Sequence, residues 1–218
     1  MEIQRRLFLG TVGASALATS VPSQAAAPAA AATGGAWDLS WADRVNGKHR
    51  AVFDSPEFSG GAGLFRAVVW KHQYKEVYGT APEDMNAVLV LRAEAIWLAM
   101  NDGFWKDYEV GEKQGFKRRD TGAFHTVNPI ASAPAPAKPD AADNTVPAFL
   151  AAGNIVLACN LAFGAVVGLV KKTDKLATDD EARKKALAGL LPGVILQPSG
   201  VFAALRAQEA GCSYILAS

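Results

Sequence analysis

A cysteine placed where a buried apolar run gives way to a helix is a potential nucleophile, and Cys159 is placed that way. It follows Asn154-Ile155-Val156-Leu157-Ala158 and precedes a helix-like stretch from Asn160 to Lys172. At such a junction in a parallel α/β sheet, free backbone N–H groups and the positive end of a helix dipole converge. They favour the thiolate, the form of cysteine that attacks and binds. The same position also suits a small buried hydrophobe, because Ala158 and Leu161 would desolvate the sulfur and leave it inert. On the residues alone both readings stand.

The carboxyl-end rule for open α/β sheets draws further candidates to the same edge: Asp54, Arg92-Ala93-Glu94, Asn160 and Ser199. Asn160 and Ser199 could each donate to an anion, but an N-cap role suits Ser199 better. Asp102 stands one turn before Lys106, so a surface ion pair explains it as well as acid/base work does. His125 lies in a long polar segment from which it could swing over the crevice. A second thiol, Cys212, precedes the last apolar run and so falls at the opposite edge of the sheet. A five-residue strand spans roughly 15 Å, beyond disulfide reach, so two free thiols are expected. His49, His72 and His125 are too scattered to read as metal ligands. Gly60-Gly61-Ala62-Gly63 precedes a helix but lacks the lysine and hydroxyl of a P-loop, which favours a helix-start turn over a phosphate cradle. No cofactor motif is present.

The elements that must hold these residues follow from apolar period. Lys48–Asp54 reads as a strand, and Leu64, Phe65, Val68 and Val69 open a helix toward Tyr74. Ala87–Leu91 is a strand buried on both faces. Ile96, Trp97, Met100 and Phe104 predict one helix ending near Tyr108. After Asn154–Cys159 and its helix, Asp179-Asp180 start another helix that Pro192-Gly193 stops. Val194–Leu196, a helix from Ser199 to Gly211, and Tyr214–Leu216 complete the pattern. Strands alternating with helices predict a three-layer α/β/α sandwich, flavodoxin-like, with a five-stranded and mainly parallel sheet. The segment 110–147 breaks the alternation as a long insertion, polar and rich in proline, whose first half could pack and whose second half, Ala131 to Ala142, reads as a linker.

The chain has 218 residues and a formal net charge of +1. Arg5-Arg6 before an apolar Gly/Ala-rich run, then Ser23-Gln24-Ala25, predict an export signal and cleavage region over 1–32, with a tether over 33–44 and the domain over 45–218. The arginine pair points to the twin-arginine route and a periplasmic location; an ordinary secretory signal is the alternative. Without residues 1–32 the chain is formally neutral, with 20 basic and 20 acidic side chains, which gives no support for nucleic acid as a partner. Residues 144–170 carry no charge and are long enough to cross a bilayer. Their Pro, Gly and Asn breaks favour a buried strand and helix, so no membrane span is expected in the mature chain.

Several pieces of this chain occur in an order that resembles the DsrE-like family, specifically its exported members. They are His49-Arg50-Ala51-Val52-Phe53-Asp54, Asn101-Asp102-Gly103-Phe104-Trp105-Lys106-Asp107-Tyr108, Asp120-Thr121-Gly122, Asn128-Pro129, Ala158-Cys159-Asn160, Leu190-Leu191-Pro192-Gly193-Val194, and Gln208 to Tyr214. The resemblance covers most of 45–216. It implies sulfur relay: Cys159 would take a sulfur atom as persulfide from a small sulfur species and pass it to a partner thiol protein. It also implies self-association as a homo-oligomer. The export signal and the 110–147 insertion depart from the cytoplasmic relay proteins. The alternative is a non-catalytic small-ligand-binding or assembly module in which the cysteine is structural.

Overall fold

In the computed structural model, residues 37–132 and 144–218 are described. The export-signal reading therefore lies outside the described residues, as does most of the Ala131–Ala142 linker. Five strands form one sheet: β1 (His49–Ser55), β2 (Met85–Leu91), β3 (Ile155–Cys159), β4 (Ile195–Gln197) and β5 (Ser213–Leu216). Every pairing is parallel and the order is β4-β3-β2-β1-β5. All seven residues of β2 and all five of β3 are buried. Central parallel strands covered on both faces need such largely apolar runs, and Asn86 is the one polar residue in these two.

Two cores sandwich the sheet. One face packs against α1 (Ala62–Tyr78), α5 (Asn160–Asp174) and α6 (Asp179–Ala188) through Leu64, Phe163, Val166 and Ala182. The other packs against α7 (Gly200–Glu209) through Ala203 and Ala207. Travel from β1 to β4 uses helices on the first face, and the return to β5 uses the second. Right-handed crossovers require that exchange when the direction reverses. The three-layer α/β/α sandwich is thus the architecture of the domain. None of its helices among the described residues is long and apolar enough to cross a membrane.

Three local expectations are corrected. Residues 40–44 are not tether: Ser40–Arg44 forms a 3-10 turn that buries Trp41 completely in the second core. Burying a side chain of that size stabilises by roughly 1.5–3 kcal/mol, and Gln197 Nε2 donates to Asp38 O at 2.8 Å beside it. The single helix expected from Ile96 to Tyr108 is a 3-10 stretch, Ala93–Ala99, followed by α2 (Asp102–Asp107). Met100 between them is extended and bridges Leu190, while the Asn101 side chain caps α2 by accepting from Phe104 N at 2.8 Å. Helix α6 begins at Asp179 as expected, but its cap is Thr178 and not an aspartate. Thr178 and Glu181 bond reciprocally in a capping box that absorbs backbone donors at that end.

The first half of the insertion is folded. It contains α3 (Val110–Gln114) and a short antiparallel bridge between Lys117 and Phe124; α4 (Val146–Ala151) follows the segment 133–143. Gly111 lets that hairpin lie directly on α3, since an added Cβ would overlap the His125 carbonyl. Gly111→Ala is expected to destabilise the protein by about 1–3 kcal/mol, the usual range for overpacking, measured by urea unfolding. An unchanged midpoint would contradict this seating of the hairpin.

Candidate functional site

The carboxyl edge of the sheet carries a row of polar side chains on the α7 face. Asp54 is the penultimate residue of β1, Arg92 follows β2, Cys159 ends β3, and Gln197 ends β4 in register with Cys159. Asp54 is buried and receives two hydrogen bonds from Arg92, Nε to Oδ1 at 2.7 Å and a terminal guanidinium nitrogen to Oδ2 at 2.9 Å. Tyr214 Oη donates to the same Oδ2 at 2.6 Å. A buried carboxylate is tolerable only when paired and hydrogen-bonded, and this one ties β1, β2 and β5 together. Its carboxylate in turn holds Arg92 and Tyr214 more firmly protonated than usual. Gly200 allows α7 to start directly against Arg92, because a Cβ there would press on the Arg92 stem.

Cys159 is the N-cap of α5. Its Sγ accepts from Ala162 N at 3.4 Å, and the residue is only 6% exposed. Asn160 lies on the first turn of α5, where its Oδ1 accepts from Arg183 of α6 at 2.6 Å. Ser199 caps α7 by accepting from Phe202 N at 3.0 Å, the capping role expected of it. Both thiols are free. Cys212, at the opposite edge, is pushed up to about 11 by burial, against a smaller lowering from Arg50, so it stays a thiol at neutral pH.

Asp102 and His125 belong to a different place. Asp102 does not form the expected pair with Lys106. It accepts from Asn128 N at 3.0 Å and from Ser132 Oγ at 2.9 Å, pinning the insertion to the start of α2. Asn128 completes the clamp: its Nδ2 donates to Leu98 O at 2.9 Å and Met100 O at 2.6 Å. His125 is half-buried, with its ring edge-on to Phe58 (5.4 Å between centroids) and to Trp105 (6.5 Å).

The clamped insertion encloses an open cavity of about 670 Å³ against the loop that follows β1. Phe58, Phe65 and Ile130 supply its apolar wall, with His125 beside them. Lys117, Arg118 and Arg119 line it together with the one carboxylate among its lining residues, Asp120. Asp120 and Arg118 pair at 2.8 Å, which holds the Asp120 carboxyl down at about 2. Lys117 rests over the Phe124 ring, 5.4 Å from its centroid. The amino end of the 17-residue α1 opens here through Gly60 and Gly61, both at positive φ, and carries no side-chain cap. Glycine allows that close left-handed turn, so the helix-start reading of this cluster is correct.

The five candidate residues thus separate into two groups. Cys159, Asn160 and Ser199 share the edge of β3 and β4, whereas Asp102 and His125 hold and line the cavity side; Cys159 is not among the cavity's lining residues. The cavity itself was not foreseen. Its signals, the glycine cluster and Lys117-Arg118-Arg119, are both visible in sequence, but their meeting depends on the Asn128 clamp. Among the described residues, no group of three His, Cys, Asp or Glu side chains could hold a metal ion.

Burial lowers the His125 pKa below its ordinary 6.5, helped by Arg118 and opposed by Asp120. The folded protein therefore binds fewer protons here than the unfolded chain just below pH 6.5. Stability from this group is present above that pH and is lost as pH falls through the lowered value. The stability gap between wild type and His125→Gln is expected to shrink between pH 7.5 and pH 5 in urea titrations; a constant gap would exclude this titration. Compared with known proteins, the chain matches no family model and no curated protein sequence.

Proposed function

We propose that this domain is a small-ligand-binding module, and that its ligand is an organic anion with an apolar body. The observation that carries the reading is the 670 Å³ cavity, in which three consecutive basic residues face an aromatic wall. Clefts of 300–1,000 Å³ with mostly apolar walls and a few placed polar groups are the usual form of small-molecule sites. Two of the three cations are not offset by Asp120, so the cavity favours a carboxylate, sulfonate or phosphate. Phe58 and Phe65 take the ring or chain attached to it. The N–H groups of the first turn of α1 add favourable partial charge. We further propose that the protein is exported to the periplasm and is DsrE-like, as the resemblance implies.

The probe for this reading is an anilinonaphthalene sulfonate, which joins an anionic head to an aromatic body. Saturable one-site binding displaced by benzoate is expected. Lys117→Glu with Arg119→Glu should weaken it by about tenfold, on the order of 1.4 kcal/mol. Binding that does not saturate, or that survives the double charge reversal, contradicts the reading.

Sulfur relay through Cys159 is a second reading, favoured by the backbone N–H that its Sγ accepts at the start of a 15-residue helix. The buried Gln197 Oε1 beside it has no hydrogen-bond partner among the described residues. In such a step the thiolate attacks the terminal sulfur of a polysulfide. A new S–S bond forms as the old one breaks, and the shortened polysulfide leaves with the electron pair. Reaction requires the sulfur to emerge from its 6% exposure. Incubation with polysulfide followed by intact-mass measurement decides it. Relay predicts one added sulfur in wild type and none in Cys159→Ala; an unmodified wild type removes this reading.

A further inference from the structure

At the other end of α1, a cavity of about 210 Å³ lies between that helix and α4, against the starts of β2 and β3. Val68, Met85 and Phe149 give it apolar walls. Lys71, His72 and Lys75 line it as well, and no carboxylate is among its lining residues. Lysines on protein surfaces ordinarily project into water or toward carboxylates. Lys71 is instead half-buried, and its Nζ donates to the neutral Oδ1 of Asn154 at 3.0 Å. That oxygen is fixed, since Asn154 is 2% exposed, accepts also from Ala87 N, and donates through Nδ2 to Phe149 O. The amine is thus held at a set position in a small cavity that Lys75 also lines and whose lining includes no carboxylate. Loss of hydration there disfavours the ammonium, and the Lys71 pKa is lowered by burial accordingly.

We infer that Lys71 is a covalent attachment site, where its amine condenses with a short-chain oxo acid to form an imine. Desolvation of a lysine amine in an apolar pocket is what makes this nitrogen nucleophilic. Nζ adds to the carbonyl carbon. Its two hydrogens leave with the carbonyl oxygen as water, and C=N replaces C=O, so neither oxidant nor reductant is required. Lys75, on the next turn of α1 and lining the same cavity, provides the positive charge for the acid's carboxylate. The cavity volume limits the ligand to a few carbon atoms. This site is independent of the anion cavity near the insertion, and either could fail without the other.

The test is reductive trapping. The full chain is incubated with pyruvate and cyanoborohydride, weighed intact, and mapped by peptide mass. The expected product is a single adduct on Lys71, heavier by one pyruvate less one oxygen atom. Lys71→Arg keeps the charge and a donor for Asn154 but cannot form an imine, so the adduct should be lost in it. Circular dichroism checks that this variant is folded, and mapping of the wild-type adduct stands without the variant. No adduct, an adduct spread over other lysines, or one that persists in Lys71→Arg overturns the inference.

Discussion

A parallel sheet cannot be closed by hairpins, and everything else in this domain follows from that constraint. Each strand must return by a crossover that packs on one face, and right-handedness fixes which face. Strands β1 to β4 step outward with helices on one side, so the last crossover, α7, must cover the other. The reversal leaves β5 beside β1, where their carboxyl ends meet. Asp54 at that edge is then buried and must be satisfied by its neighbours. Arg92 and Tyr214 do so, joining three strands by one carboxylate.

The same constraint explains why the insertion builds a cavity. It sits within the β2-to-β3 crossover, on the face that α1 also occupies, so it must pack beside the amino end of α1. Asp102 and Asn128 fasten it there by side-chain bonds to backbone groups. Phe58, which lines the cavity, stacks on Phe116 with 3.9 Å between ring centroids. The basic run Lys117-Arg118-Arg119 is carried on the hairpin that this docking holds in place. Cys159 has the opposite environment: its sulfur is spent on capping α5 and is nearly closed off from solvent. The cavity and the thiol therefore occupy different parts of the molecule.

The layer architecture was legible because buried parallel strands leave long apolar runs, as at Ala87–Leu91 and Ile155–Cys159. Ser199 was legible as a cap because a serine before an apolar helix has little else to bond. The break at Met100-Asn101 was not, since the apolar spacing from Ile96 to Phe104 fits a helix, and the interruption comes from a distant bridge to Leu190. Trp41 was missed for a similar reason: nothing in its neighbours marks a fold, and its burial depends on β4 and α7. The candidate site was the least legible part. Gly60 and Arg119 are far apart in sequence, and only the Asn128 clamp brings them to one cavity. Asp102 was chosen as a candidate for its charge, yet its effect is positional, through Ser132 and Asn128.

The central claim is that the anion cavity, and not the thiol edge, receives the ligand. It is tested most directly by following backbone amide resonances of the isotope-labelled chain while benzoate is added. The account predicts saturable shifts concentrated at Gly60, Gly61, Lys117 to Asp120 and Ser132, with the amides around Cys159 and Ser199 unmoved. Shifts centred on Cys159 and Ala162, or none that saturate, would contradict it.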